Sequence, residues 1–383
     1  MHLQQIPGAI IMWNLQNPVR TAMTDDLSVA SPVNVSNEWA PLQEVIVGTI
    51  DDMRIPEWDR SLQAVVPEHG RADLQRWSGR RFPQDLVDLA RKEVDGLADF
   101  FAREGVAVRR PDPVDHHRPV VTPYFSTGGG FYSAMPRDGL FAIDDQIIET
   151  PMAWRSRYFE AFPFRSILMD YFSRGARWTA GPRPRLADDL WTTVDDDHGE
   201  GFQSSITEVE PVFDAADFVR IGDNTIVGQL SHVTNRAGVE WLQRQLGPDY
   251  RVLTYVFDDS SPMHIDTTLL PLGPGKVLVN EAWVSRLPDI FADWEVLVAP
   301  ASQLDPRHPL WFTSTWIHCN IMMLDEQHIL VEQDEHDLAD MFRRRGFTPI
   351  PLPFKHFQTF GGSFHCATLD VRRGSKCERG LQR

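Results

Sequence analysis

The chain has 383 residues, 42% hydrophobic and 24% charged, enough for a substantial core in one large or two medium domains. Its 37 Lys and Arg against 54 Asp and Glu leave a net charge of −17, which argues against nucleic acid or an anionic membrane as the main partner. No apolar run approaches the ~20 residues of a membrane span, and the patch Gly8–Met12 is too short and lacks the basic start of a secretory signal. Three cysteines exclude a disulfide framework and point to a reducing cytoplasm.

Residues 1–36 show no clear periodicity and read as a tail. The body, 37–383, is expected as a single domain that begins at Asn37–Gly48, where a polar turn leads into an apolar strand. Pro83–Gly105 then carries a helical stripe of Leu86, Ala90, Val94, Leu97 and Phe101, followed by a Gly stop, a short strand and a Pro. The same helix-then-strand unit recurs loosely at Gly238–Phe257 and again at Leu287–Pro300 and Leu338–Pro353. Four copies at related spacing make a repeat. Met152–Trp191 interrupts it with an Arg- and aromatic-rich stretch, expected as a helix from about Ser156 to Ser173 and then a long loop carrying binding residues.

Hairpins headed by polar residues alternate with these units. They start at Met135, Phe213, Met263 and Trp316, and a fifth head at His365 leads a strand whose partner lies elsewhere. If five such units close into a ring, their heads converge on one cavity. The expected architecture is therefore one compact α/β domain of five pseudo-equivalent blades.

The heads offer Asp138, Asp214 and Asp217, His264 and Asp266, His318 and Asn320, and Cys366. A lone Cys in an apolar context is most often a small buried hydrophobe. Cys, His and Asp together, however, satisfy the logic of an activated nucleophile. The spare carboxylates suit a guanidinium, a planar cation with five donors that two carboxylates can hold by its edges while its central carbon stays open to a thiolate. Metal binding competes at His264–Asp266 and His318–Cys319. No CxxC or HxxxH occurs, so neither a metal nor a cofactor is expected. Gly128–Gly130 and Gly273–Gly275 lack the following Lys-Ser/Thr of a phosphate cradle and read as turns. His365 adjoins Cys366 but on a strand would face the other way, so it is given no role.

The motifs EWAPLQEVIVG, MPRD, PMAWRSR, FDAADF, MHID and GGSFHCATLDVRR, in this order from about Asn37 to about Gly374, resemble the amidinotransferase family. Glycine amidinotransferase and the inosamine-phosphate amidinotransferases are its best-known members. The resemblance implies the pentein fold, a five-bladed α/β propeller, in agreement with the repeats. It implies Cys366 as the nucleophile that takes the amidino group, His264 as general acid/base and Asp214 as its carboxylate partner, although Asp217 is close by. It further implies that Asp138 and Asp266 grip the guanidinium, that Ser314 contacts the donor and that Met263 lies beside the pocket. The implied reaction is a ping-pong transfer from L-arginine to an acceptor amine, with release of ornithine.

Departures from the family pattern are also present. Trp283 stands where the family usually has an Arg for the donor carboxylate, with Arg286 three residues on as a substitute only if the strand end shifts. Ser261 replaces an Asn expected from the glycine enzyme, and Cys377 lies in a divergent tail as an incidental thiol. The acceptor stays open among glycine, lysine, an aminocyclitol phosphate and a polyketide amine, and a secondary-metabolite pathway is expected. A homodimer is the default assembly. The alternatives are an arginine deiminase-like hydrolase making citrulline and a silent pentein binding module. The module would lack the nucleophile or the base.

Overall fold

The computed structural model describes residues 31–66, 68–192, 203–259 and 261–374. The tail expected at 1–36 therefore lies mostly outside the described residues, as does Cys377. Residues 31–36 pack on the body: Val33 and Val35 are buried, and Asn34 and Val35 bridge to Arg372 and Asp144.

Five three-stranded sheets and one two-stranded sheet account for the named strands. Four of the three-stranded sheets share one plan, an antiparallel hairpin followed by a parallel third strand. In chain order the hairpins are Leu140–Ile143 with Gln146–Glu149, Phe218–Arg220 with Thr225–Gln229, Leu269–Gly273 with Lys276–Val279, and Met322–Met323 with His328–Glu332. Their third strands are Arg177–Ala180, Arg251–Tyr255, Glu295–Val298 and Thr348–Leu352. The remaining sheet joins the C-terminal strand Thr368–Arg373 to Leu42–Val47, with Ala107–Arg109 parallel to it. This is the partner that the fifth head lacked locally.

Burial orders the strands within each sheet. The first and middle strands are almost wholly buried, whereas the third strands are largely half-exposed. Near-continuous apolar runs such as LFAI and TIVGQ read this way because both faces are covered. The segment before each first strand is thus carried into the interior.

The helix-then-strand units form where an apolar stripe exists to bury. Gln84–Arg103 buries Val87, Ala90, Val94, Leu97, Phe100 and Phe101, and Arg236–Leu246 is capped by the Asn235 side chain accepting from Gly238 N at 2.8 Å. Two expectations are corrected. Met152–Trp191 does not interrupt the repeat. Its helix begins only at Arg165, after Pro163, and runs to Ser173, burying Ile167, Leu168 and Tyr171; the strand Arg177–Ala180 then follows in place of a loop. Leu287–Pro300, conversely, has no α-helix, only the single 3-10 turn Asp289–Phe291 before its strand.

A buried ion cluster links the strands Phe218–Arg220 and Thr368–Arg373. Arg220 Nε donates to Glu38 Oε1 at 2.8 Å and its Nη2 to Asp370 Oδ1 at 2.8 Å. Arg137 and Arg373 reach the two Asp370 oxygens at 2.6 Å each. Removing one member would strand buried charge. No helix among the described residues is long and apolar enough to cross a membrane.

Candidate active site

Each inner strand is preceded by a short turn that carries the polar heads. Asp138 sits in the single helical turn Pro136–Gly139, Asp214 leads the 3-10 turn Ala215–Asp217, and His264 leads Ile265–Thr267 with Asp266 inside it. Cys366 sits in a turn two residues before Thr368–Arg373. Gly361 supplies φ +100° there, and a Cβ on Gly362 would lie 2.6 Å from Cys366 Cβ. The Gly-Gly pair thus lets the chain pass directly behind Cys366.

These turns bring Asp138, Asp214, His264, Asp266 and Cys366 together. Cys366 Sγ lies 3.2 Å from Asp266 Oδ2, with Asn320 Nδ2 donating to it at 3.1 Å. Asn320 Oδ1 accepts from Cys366 N at 3.1 Å, so one amide fixes both ends of the residue. His264 Nε2 meets Asp214 Oδ2 at 3.1 Å, and Nδ1 faces Asp138 Oδ1 at 3.7 Å. Asp217, the rival within FDAADF, instead accepts from His264 N at 3.0 Å and from Gln229, Ser231 and Thr234. That contact secures His264 at φ +69°, a left-handed conformation unfavourable to a residue with a Cβ.

The electrostatics follow from burial. Burial opposes charge on His264, but Asp138, Asp214 and Asp217 outweigh it and lift its pKa from 6.5 to about 10. Burial raises the Asp138 carboxyl above its ordinary range. Burial, with Asp266 and Asp138 adding to it, pushes the Cys366 thiol well above its ordinary value. Arg157 donates to Asp138 Oδ2 at 2.9 Å, is held by Glu160 at 2.6 Å, and lies 3.6 Å from Asp214. One oxygen each of Asp138, Asp214 and Asp266 is buried without a hydrogen-bond partner.

Asp138, His264 and Cys366 also present one donor atom each within 4.8 Å of one another. Protonated between two carboxylates, His264 has no lone pair to give a metal ion. His318 and Cys319 do not join the site; His318 Nε2 bonds Pro300 O at 2.8 Å.

Met263 and Ser314 line a neighbouring cavity of about 260 Å³ together with Ser261, Thr267, Trp283 and Trp316. Ser314 Oγ accepts from Trp316 N at 2.8 Å. Arg286 does not stand in for an arginine at position 283: its side chain is 85% exposed and pairs with Asp289. The sequence reading missed His365, which does not point away: it sits in the same turn as Cys366, not on a strand, and bonds Asp266 at 2.8 Å. It also gave Arg157 no role, although PMAWRSR had been singled out.

Comparison with known proteins gives the class. No family model matches the chain. The L-arginine:L-lysine amidinotransferase of Pseudomonas savastanoi pv. phaseolicola is 45% identical over 353 residues, covering 92% of this chain and 97% of that one. Among solved structures, SxtG, an amidinotransferase of Microseira wollei in the saxitoxin biosynthetic pathway, superposes with TM-score 0.86 at 42% identity, over 90% of this chain and 98% of its own. The inosamine-phosphate amidinotransferase StrB1 of Streptomyces griseus gives TM-score 0.82 at 37% identity, over 90% and 98%. The chain belongs to the amidinotransferase family and is an enzyme that transfers amidino groups.

Proposed function

We propose that this enzyme moves the amidino group of L-arginine to an acceptor amine through an amidino-cysteine on Cys366, releasing ornithine. The observation that carries the reading is the trio of unpartnered, buried carboxylate oxygens on Asp138, Asp214 and Asp266 beside Cys366 and His264. A site short of donors and rich in carboxylate calls for a planar cation with several N–H groups. Arginine is in the name of the Pseudomonas relative, and the pathway in the SxtG description supports a role in secondary metabolism. Residues 37–383 are read as one catalytic domain, and the repeated sheets as the blades of a five-bladed propeller.

Asp138 and Asp266 grip the guanidinium edges and leave its central carbon open to Sγ. The arriving cation offsets the carboxylates that hold Cys366 protonated, so the thiolate forms when the donor is bound. Sulfur adds to the carbon, the C–N bond to ornithine breaks, and His264, oriented by Asp214, gives that nitrogen a proton that the thiol's proton replaces. The acceptor then attacks the amidino carbon and the C–S bond breaks; His264 gives its proton to the departing sulfur and takes the acceptor's in its place, which restores the thiol and the imidazolium. Cys366 and His264 are 2% and 4% exposed, which keeps water from the intermediate. Met263 and Ser314 flank the substrate chain.

The test omits the acceptor. Arginine is mixed with the protein at near-stoichiometric amounts, ornithine and citrulline are assayed, and the intact protein is weighed. One turnover of ornithine with an amidino mass on Cys366 is expected, and neither from Cys366→Ala. Continuous citrulline would instead mean a hydrolase, and no product a donor other than arginine.

A further inference from the structure

His365 stands directly before Cys366 and is 2% exposed. Its Nδ1 lies 2.8 Å from Asp266 Oδ2 and its Nε2 3.3 Å from Glu38 Oε2. Burial opposes charge on both partners. Even so, the His365 contact keeps Asp266 below the ordinary carboxylate range, and Arg220, aided by His365 and Arg137, keeps Glu38 well below it. Both are therefore carboxylates, which only accept hydrogen bonds. The ring therefore lies between two acceptors, one at each nitrogen. The Asp266 oxygen it holds is the one 3.2 Å from Cys366 Sγ, while Asp266 Oδ1 stays without a partner.

We propose that His365 is a positioning residue for amidino transfer: a buried imidazole ring that ties Asp266 to Glu38, turns one Asp266 oxygen to the thiol and leaves the other for the guanidinium. The inference rests on the reading of Asp266 as a guanidinium-gripping carboxylate. His365 acts through Asp266 and touches no reacting atom. It also anchors the site to the buried ion cluster, because Glu38 is bound to Arg220 and lies 3.4 Å from Arg137. The charged groups facing Asp266 are His365 and His264, with the Cys366 thiol beside them; those facing Glu38 are Arg220, Arg137, His365 and Asp370.

Two conservative variants separate the links. His365→Asn keeps a donor near the Nδ1 position, and His365→Gln one near the Nε2 position. KM and kcat for arginine are measured with each from acid to alkaline pH, alongside melting temperatures. In His365→Gln the arginine KM should rise about tenfold or more, and the acid limb of kcat/KM should move up by roughly one to three pH units. His365→Asn should recover much of the KM but keep a raised acid limb, because the ring's electrostatic hold on Asp266 is gone. A lowered melting temperature with KM and the acid limb unchanged would make His365 merely structural and overturn the proposal.

Nitrogen NMR of the wild-type imidazole decides the matter independently of turnover and of how the variants fold. Both ring nitrogens should show hydrogen bonds to carboxylate oxygens, and a ring nitrogen without one overturns the proposal. If the wild type fails to form the amidino adduct, the reading of the reaction falls, and the NMR result still stands for or against the bridge.

Discussion

Asp214→Asn tests the electrostatics of the acid/base pair. The amide can still accept from His264 Nε2, now 3.1 Å from Asp214 Oδ2, so the ring keeps its place while a full charge is lost. The rise of the His264 pKa from 6.5 to about 10 corresponds to about 5 kcal/mol. Asp138, Asp214 and Asp217 share that stabilisation against the opposing effect of burial. A hydrogen-bonded carboxylate at this distance accounts for roughly one to three pH units. In the wild type, kcat/KM for ornithine release should fall on the basic side near the His264 value. In the variant that limb should fall to between roughly pH 7 and 9, with much of the activity kept on its acid side. The assay is single-turnover ornithine release across pH, and the donor's own titrations are common to both enzymes. A variant equally impaired at every pH, or one whose basic limb stays put, would refute the assignment of Asp214 as the charge that holds the His264 proton.

Other consequences are as direct. Gly362→Ala places a Cβ 2.6 Å from both Cys366 Cβ and Met135 Sδ; the overpacking should cost about 1–3 kcal/mol in a denaturant melt, and amidino-adduct formation should drop about a hundredfold because the sulfur is displaced. Glu38→Gln leaves Arg220 and His365 facing a neutral group in a buried cluster and should destabilise the fold by about 3–5 kcal/mol, read from the same melts. Because the folded pKa of His264 is raised, its contribution to stability is complete below pH 6.5 and is lost as pH climbs through about 10, so the melting temperature should decline over that window. Replacing His264 with Gln should flatten that decline.

Much of the architecture was legible because burial leaves a mark on composition. Strands covered on both faces read as apolar runs, and the polar heads before them have no reason to be there unless the interior has chemistry. What was illegible depended on one turn of backbone. FDAADF offers two carboxylates three residues apart, and only the 3-10 turn shows that Asp214 meets the imidazole while Asp217 holds the backbone of His264. His365 was misplaced because strand alternation was applied to a residue three positions before the strand begins. The strand RWTA is four residues long and half-exposed at its centre, with Arg and Trp where a stripe would be sought, so its helix-then-strand unit went uncounted. Pro163 delays the expected helix, which starts at Arg165 instead of Ser156.

The site presents an apparent contradiction that its electrostatics resolve. A nucleophilic cysteine ordinarily has a lowered pKa and some exposure, yet Cys366 is buried, faces carboxylates and is pushed the other way. In the proposed reaction Asp138 and Asp266 hold a guanidinium, and without one they suppress the thiolate. The donor thus brings the charge that switches on its own attack. A thiol kept protonated until then is shielded from oxidants and from neutral electrophiles, which react with thiolates. In that reaction His264 obeys the same logic in reverse: the surplus of carboxylate that silences Cys366 keeps the imidazolium charged and ready to protonate the leaving amine. One excess of negative charge therefore sets donor affinity, nucleophile timing and acid strength together, and a substitution that changes it should alter all three.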